Sequence, residues 1–260
     1  SEPLPRGNLG GEVATTTFNG NLILRPLPKL TAKASYRLRD RDYDKPRDGY
    51  RYVPGDGGNQ SRSALTVYNT SNDLQSQTAG LELSYRLPKS SRLRLEIEGE
   101  QIERENAAVE ETEETRITGG LRFRPWQVLQ GNLELAYYNR AADTYQWDQS
   151  YYALLDAELI NTTPDNQRYL NHPELSQYYL SNRERTEVKL DFSLLPSAQW
   201  SVNLNFLWRE DDYDKSELGL TSSDWQRVHA SASYAAGDDL SFSVPKGSIV
   251  GIIGGNGAGK

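Results

Sequence analysis

The chain has 260 residues, with 29 Lys+Arg against 36 Asp+Glu and a net charge of −7. Such an acidic chain argues against a binder of nucleic acid or of anionic membrane surfaces. There is no Cys, no Met and only two His. Disulfides, thiol nucleophiles, cysteine-rich zinc sites and c-type haem attachment are therefore excluded, and any redox chemistry has to sit in a partner.

Hydrophobic residues make up 36% of the chain, and mean hydropathy is −0.74, so a thick buried core is not expected. No apolar run reaches the length of a transmembrane helix, and Ser1-Glu2-Pro3-Leu4 is not a signal peptide, so the chain reads as mature or as a fragment. Apolar and polar residues alternate with a period of two, and a convincing 3.6-residue amphipathic run is almost absent.

In chain order, Leu22 and Leu24 lead to Pro26-Leu27-Pro28-Lys29, and Leu30, Ala32, Ala34, Tyr36 and Leu38 leave it. Leu81, Leu83, Tyr85 and Leu87 alternate with Glu82, Ser84 and Arg86. After Pro88-Lys89-Ser90-Ser91 come Leu93, Leu95 and Ile97 against Arg92, Arg94, Glu96 and Glu98. Leu121 and Phe123 lead through Pro125-Trp126 to Leu133, Leu135 and Tyr137. Val188, Leu190, Phe192 and Leu194 lead through Pro196-Ser197 to Val202, Leu204, Phe206 and Trp208. Last, Val228, Ala230, Ala232 and Tyr234 lead through Gly237-Asp238-Asp239 to Leu240 and Phe242. Each is a hairpin signal, so the fold class is all-β, an antiparallel meander of about ten strands. The echo between Arg39-Asp40-Arg41-Asp42-Tyr43-Asp44-Lys45 and Arg209-Glu210-Asp211-Asp212-Tyr213-Asp214-Lys215 marks strands leaving their apolar zone.

Short turns alternate with long polar segments, roughly 40–75, 105–114, 140–184 and 211–223. This asymmetry, with one apolar and one charged face per strand, predicts a partial or small transmembrane β-barrel in the bacterial outer membrane. Its short turns are periplasmic and its long loops extracellular. Lipid offers no hydrogen bonds to a bare backbone, so a sheet enters it only with its strands paired and its apolar face outward. Tyr36, Tyr85, Trp126, Tyr137, Tyr138, Trp200, Trp208 and Tyr234 are expected at interfacial girdles. The competing architecture is a soluble β-sandwich or β-solenoid, which the charged second face and scarce large aliphatics disfavour.

Residues 11–243 resemble the MtrB/PioB family of decahaem-associated outer-membrane proteins. The resemblance rests on Arg25-Pro26-Leu27-Pro28-Lys29-Leu30 with Ala34-Ser35-Tyr36-Arg37, on the segment from His172-Pro173-Glu174-Leu175 to Arg185, and on the Trp-Arg-Glu-Asp-Asp-Tyr run from Trp208. It implies a non-catalytic role, sheathing and positioning a multihaem c-type cytochrome for transmembrane electron transfer, with lipid and the cytochrome as partners and no nucleic acid. The Cys-x-x-Cys of some members is missing, and family barrels exceed ten strands, so the chain is expected to be part of one. A generic porin or transporter barrel is the alternative in the same compartment. The two histidines are expected to be a lumen-facing side chain, His229, and a loop contact, His172.

The last 23 residues, Asp238 to Lys260, differ in kind. Val244 to Ile253 is an apolar β-run, and Gly254-Gly255-Asn256-Gly257-Ala258-Gly259-Lys260 fits the Walker A pattern G-x-x-x-x-G-K without its Ser/Thr. Gly254, Asn256, Gly257, Gly259 and Lys260 form the candidate phosphate loop. Backbone amides would cradle phosphate oxygens and Lys260 would pair the β- and γ-phosphates. The tail resembles the first nucleotide-binding domain of ABC-F translation factors. An ATP-binding fragment is thus the reading from a different class, with ATP as cofactor only if the tail belongs to a complete domain. Neither a helix nor a Walker B carboxylate follows, so the expectation is a barrel fragment over 1–243 and a non-functional tail over 244–260. A chimeric or misassembled frame joined within Gly237–Ser243 would account for both parts.

Asp40, Asp42 and Asp44 mimic a calcium loop, but Lys45 and Arg51 stand where it needs Gly and Glu, so the metal expectation is none. Glu110, Glu111, Glu113 and Glu114 read as a hydrated loop run. Glu96 and Glu98 share one strand face about 7 Å apart, among arginines that make a mixed-charge wall. No G-x-S-x-G elbow or placed Ser–His–Asp set appears, and no enzyme is expected.

Overall fold

The computed structural model describes residues 5–51, 66–155, 157–167, 172, 174–213, 218–235 and 241–245. Ten strands form one antiparallel sheet: β1 (Glu12–Leu27), β2 (Leu30–Asp44), β5 (Leu74–Arg86), β6 (Arg92–Arg104), β7 (Glu111–Trp126), β8 (Leu129–Ala142), β9 (Arg183–Ser197), β10 (Trp200–Asp212), β11 (Ser222–Ala235) and β12 (Ser241–Pro245). Each pairs with its neighbour in this order. A separate hairpin, β3 (Gly49–Arg51) with β4 (Thr66–Tyr68), sits in the first long connection. The five expected hairpins are present, and the turn of the fifth, 236–240, lies outside the described residues. Among those residues β1 and β12 do not pair with each other, so the described sheet is open.

Alternation places one side-chain set on each face, and the register aligns the apolar sets into rows. One row runs Leu27, Leu30, Tyr85, Leu93, Leu121, Leu133, Leu190, Phe206, Val228 across nine strands. These side chains share the outer face, with Val228 at 63%, Leu27 at 56%, Leu93 and Tyr85 exposed and the other five half-buried. On β8, Gly131 leaves space for the Phe123 ring, since a Cβ there would lie 2.3 Å from the ring's Cζ. That ring meets Phe192 edge to face at 5.8 Å.

The apolar zone crosses the strands obliquely. Its last residue towards the loop end is Leu38 on β2, Ile97 on β6, Tyr137 on β8, Trp208 on β10 and Val228 on β11. Projected along the paired rows, Val228 meets Leu30, so the edge has moved from Leu38 to Leu30. At about 3.4 Å per residue and about 4.8 Å per strand, that drift corresponds to strands tilted about 40° from the normal of the belt. A barrel strand tilts by about this angle.

Apart from β12, the strands of the large sheet reach 13 to 16 residues, longer than the ten or so that a tilted strand needs to cross a bilayer. They continue past the apolar zone as a polar extension. Two expectations are corrected by this. Asp40, Asp42 and Asp44 lie in β2 rather than in a loop, and Glu111, Glu113 and Glu114 lie in β7. Charge on both faces hides a strand once it has left lipid, although the ladder still satisfies its backbone.

The loop end is not bare coil. Helices α1 (Gln149–Leu154) and α2 (Ala157–Thr162) and a 3-10 turn at Asp165–Gln167 occupy the third long connection. The amide of Gln146 donates to the Ala108 carbonyl at 2.7 Å, Asn106 donates to the Ser71 carbonyl at 3.1 Å, and bridges join Val67 to Leu155 and Leu175 to Leu218. Val109, Ala108 and Leu180 form a small buried cluster with Ala142 and Tyr145 packed against it. Long connections from all four hairpin junctions thereby hold one another. Burial pushes the Tyr145 hydroxyl above the usual phenol range.

Candidate functional site

Apart from Gly131 under the Phe123 ring, the buried strand residues are not on the apolar face. Thr118, Glu187, Ala136, Asp211, Leu207 and Ser84 are all under 9% exposed, and every one belongs to the opposite, inner face. Curvature crowds the concave side of a coiled sheet, so polar side chains there shield one another.

The inner face is a wall of matched charges. Glu134 on β8 receives Arg94 from β6 at 2.8 Å, Arg116 from β7 at 3.6 Å and Lys189 from β9 at 3.5 Å. Glu187 on β9 takes Lys189 at 2.8 Å and Arg209 from β10 at 2.7 Å. Nearer the loops, Arg183 pairs with Glu114 at 2.6 Å and Arg185 with Asp211 at 2.5 Å. Arg140 donates to the carbonyls of Ser181 and Tyr178, both at 2.8 Å, tying the third long connection to the wall. Networked pairs on rigid strands hold better than isolated surface pairs, because each ion has several partners.

Aromatic rings are set into this wall. Tyr138 stands between Arg116, 5.1 Å from its centroid, and Arg185 at 5.7 Å. Trp225 on β11 stands between Arg209 at 5.6 Å and Arg227 at 5.4 Å. Both are cation–π arrangements. Tyr138 thus departs from the girdle expected of it, since a strand turns it to the face opposite Tyr137. The outer face carries Tyr36, Tyr85, Trp126, Tyr137, Trp200, Trp208 and Tyr234, with Trp126 at 64% exposure and Trp200 stacked on Tyr234 at 4.8 Å.

His229 shares the inner face with Asn205, its partner across the strands, and Asn205 donates to Asp191 at 2.6 Å. His172 lies in a turn where its Nδ1 accepts the Glu174 amide at 3.2 Å. Glu96 approaches Arg94 at 3.9 Å. Among the described residues no three His, Asp or Glu are grouped to hold a metal ion. The phosphate-loop candidates Gly254, Asn256, Gly257, Gly259 and Lys260 lie outside the described residues. Strand β12 continues to Pro245, across the expected 243/244 boundary, with Val244 opposite Ala232.

The ion pairs of Glu134, Glu187, Glu114 and Asp211 were not foreseen from sequence. Alternation assigns each side chain its face, but partners come from register, which one sequence does not state.

A family model described as "Putative outer membrane beta-barrel porin, MtrB/PioB" matches residues 2–246. The outer membrane protein MtrB of Shewanella baltica (strain OS185) is 23% identical over 237 residues, covering 91% of this chain and 31% of that protein. The chain therefore spans about a third of the length of that curated relative. Among solved structures, the alcaligin outer-membrane receptor FauA of Bordetella pertussis is 10% identical, with a TM-score of 0.46, over 90% of this chain and 35% of its own. The siderophore receptor PiuA of Acinetobacter baumannii is 11% identical, also at 0.46, over 93% and 42%.

Proposed function

From the premise that this chain belongs to the MtrB/PioB family of outer-membrane β-barrel porins, we propose that it forms part of a barrel wall that sheathes a multihaem c-type cytochrome and positions it for electron transfer across the outer membrane. The protein is an outer-membrane β-barrel protein. In this proposal its role is non-catalytic and the cytochrome is its partner. The observation that carries it is the family match over nearly the whole chain.

The geometry agrees with a passive wall. A greasy outer face with tilted strands suits lipid. The inner charges are largely spent on one another, so the wall is wet and rigid rather than poised around a reacting group. A chain without Cys or Met, and with two His, supplies no string of haem ligands, so the electrons travel in the partner.

The test is purification of the full-length protein from native membranes in mild detergent. Stoichiometric haem-staining protein in the same peak is the expected result. A barrel that repeatedly purifies without haem and conducts ions in planar bilayers is instead a generic porin. The Walker A tail is proposed to be inactive, because a phosphate loop works only with the helix and acidic strand that follow it. Titration of the 260-residue chain with ATP should show no binding at millimolar nucleotide, and a saturable isotherm would overturn that statement.

A further inference from the structure

From the middle of the inner wall to its loop end, Arg94, Arg116, Arg183, Arg185 and Arg209 each reach a carboxylate. At the short-turn rim the pattern changes. Arg86 on β5, Arg92 on β6 and Arg122 on β7 stand directly opposite one another on that inner face, and Arg124 follows two residues after Arg122. All four are exposed, and among the described residues none has a carboxylate within salt-bridge distance. They line an open cleft together with Ser90 and Ser91.

Like charges directly opposite on adjacent strands are destabilising. In a chain with net charge −7, three such cations in register are the reverse of what composition favours. The turn below adds a second cost. Lys89 and Ser90 have φ of 55° and 58°, the left-handed region in which neither residue is at ease. It nonetheless delivers Ser91, whose Oγ accepts the Arg124 amide at 3.3 Å, to the cleft.

We propose that this row is a docking surface for a carboxylate-rich face of the protein held in the lumen, met from the short-turn side. The inference rests on the sheath reading above. Three adjacent strands spread the guanidinium roots over about 10 Å, and the side chains are exposed rather than converged in a buried pocket. One tetrahedral anion spans two of them at most, whereas a line of carboxylates on a folded surface matches all three. Arginine suits this role because its planar fork binds carboxylates bidentately.

The experiment uses full-length protein from native membranes, comparing wild type with the triple charge reversal R86E/R92E/R122E and the milder R86Q/R92Q/R122Q. None of the three residues belongs to the wall's ion pairs, and heat-modifiable gel mobility reports that each variant still folds. The readout is haem retained on the immobilised barrel as salt is raised. The expected result is at least about tenfold weaker retention for the reversal, a smaller loss for the neutral variant, and a flatter salt dependence in both. Equal retention by all three overturns the docking surface while leaving the sheath standing. Wild type that holds no haem at any salt overturns the sheath, and this inference with it. Inorganic phosphate binding that the reversal abolishes, with haem retention unchanged, makes the cleft a small-anion site and also overturns the proposal.

Discussion

Glu134 shows how a single side chain organises the inner wall. Three cations from three different strands converge on its carboxylate, which is 14% exposed. Removing the charge leaves Arg94 with Glu96 at 3.9 Å and Lys189 with Glu187, while Arg116 keeps, among the described residues, the Tyr138 ring and the Thr118 hydroxyl. Substitution Glu134→Gln keeps the shape and an acceptor but loses the charge. It should cost about 1–3 kcal/mol, read as a lower urea midpoint for the heat-modifiable form in micelles. An unchanged midpoint would mean that lumen water screens the trio entirely. The arginines near Tyr138 and Trp225 lie against aromatic faces, which fixes the rings without burying them.

Turns and faces set the next level. The β5–β6 turn has positive φ at both Lys89 and Ser90, and the Ser91 amide donates to the Pro88 carbonyl at 3.2 Å, the geometry of a type I′ turn for which Asn-Gly is preferred. The double change K89N/S90G should stabilise the hairpin by about 1 kcal/mol and accelerate refolding into detergent if this hairpin forms early. Refolding that becomes slower or less complete would show that the native residues serve the turn better than the backbone angles suggest. On the outer face Leu95 is 45% exposed in the middle of the apolar zone. Leu95→Arg should cost about 2–4 kcal/mol in a bilayer. Placing the same charge at Gln101, on the same face beyond the apolar zone, should cost little. Equal costs at both positions, measured by equilibrium unfolding from lipid vesicles, would reject the assignment of the outer face to lipid.

For the whole molecule, the tilted apolar belt and the open order of strands act together. Strands inclined by about 40° coil the sheet towards closure. The described residues nevertheless leave one side of β1 and one side of β12 unpaired. An unpaired edge is a template for another chain. The 260-residue chain in detergent is therefore expected to form edge-paired oligomers on size-exclusion chromatography, and a sharp monomer peak at micromolar concentration would contradict this. Knitting of the long connections through Ala108, Leu155 and Leu218 should make the loop end resist proteases better than its polar composition suggests.

Strand identity, face assignment and hairpin order were legible in the residues, because a two-residue period and Pro-marked turns are local signals that lipid and lumen reinforce. Even the displacement of Tyr138 was within reach, since Tyr137 and Tyr138 cannot share a face of one strand. The polar strand ends at Asp40–Asp44 and Glu111–Glu114 were not, because beyond the membrane zone both faces meet water and alternation disappears. Nor were α1 and α2, each only six residues long, too short for a helical period to register. The convergence on Glu134, the pairs at Glu187 and Asp211, and the unmatched row of Arg86, Arg92 and Arg122 belong to tertiary structure. They depend on which residue stands opposite which across a ladder, and register is set by turn geometry and the packing of all strands at once.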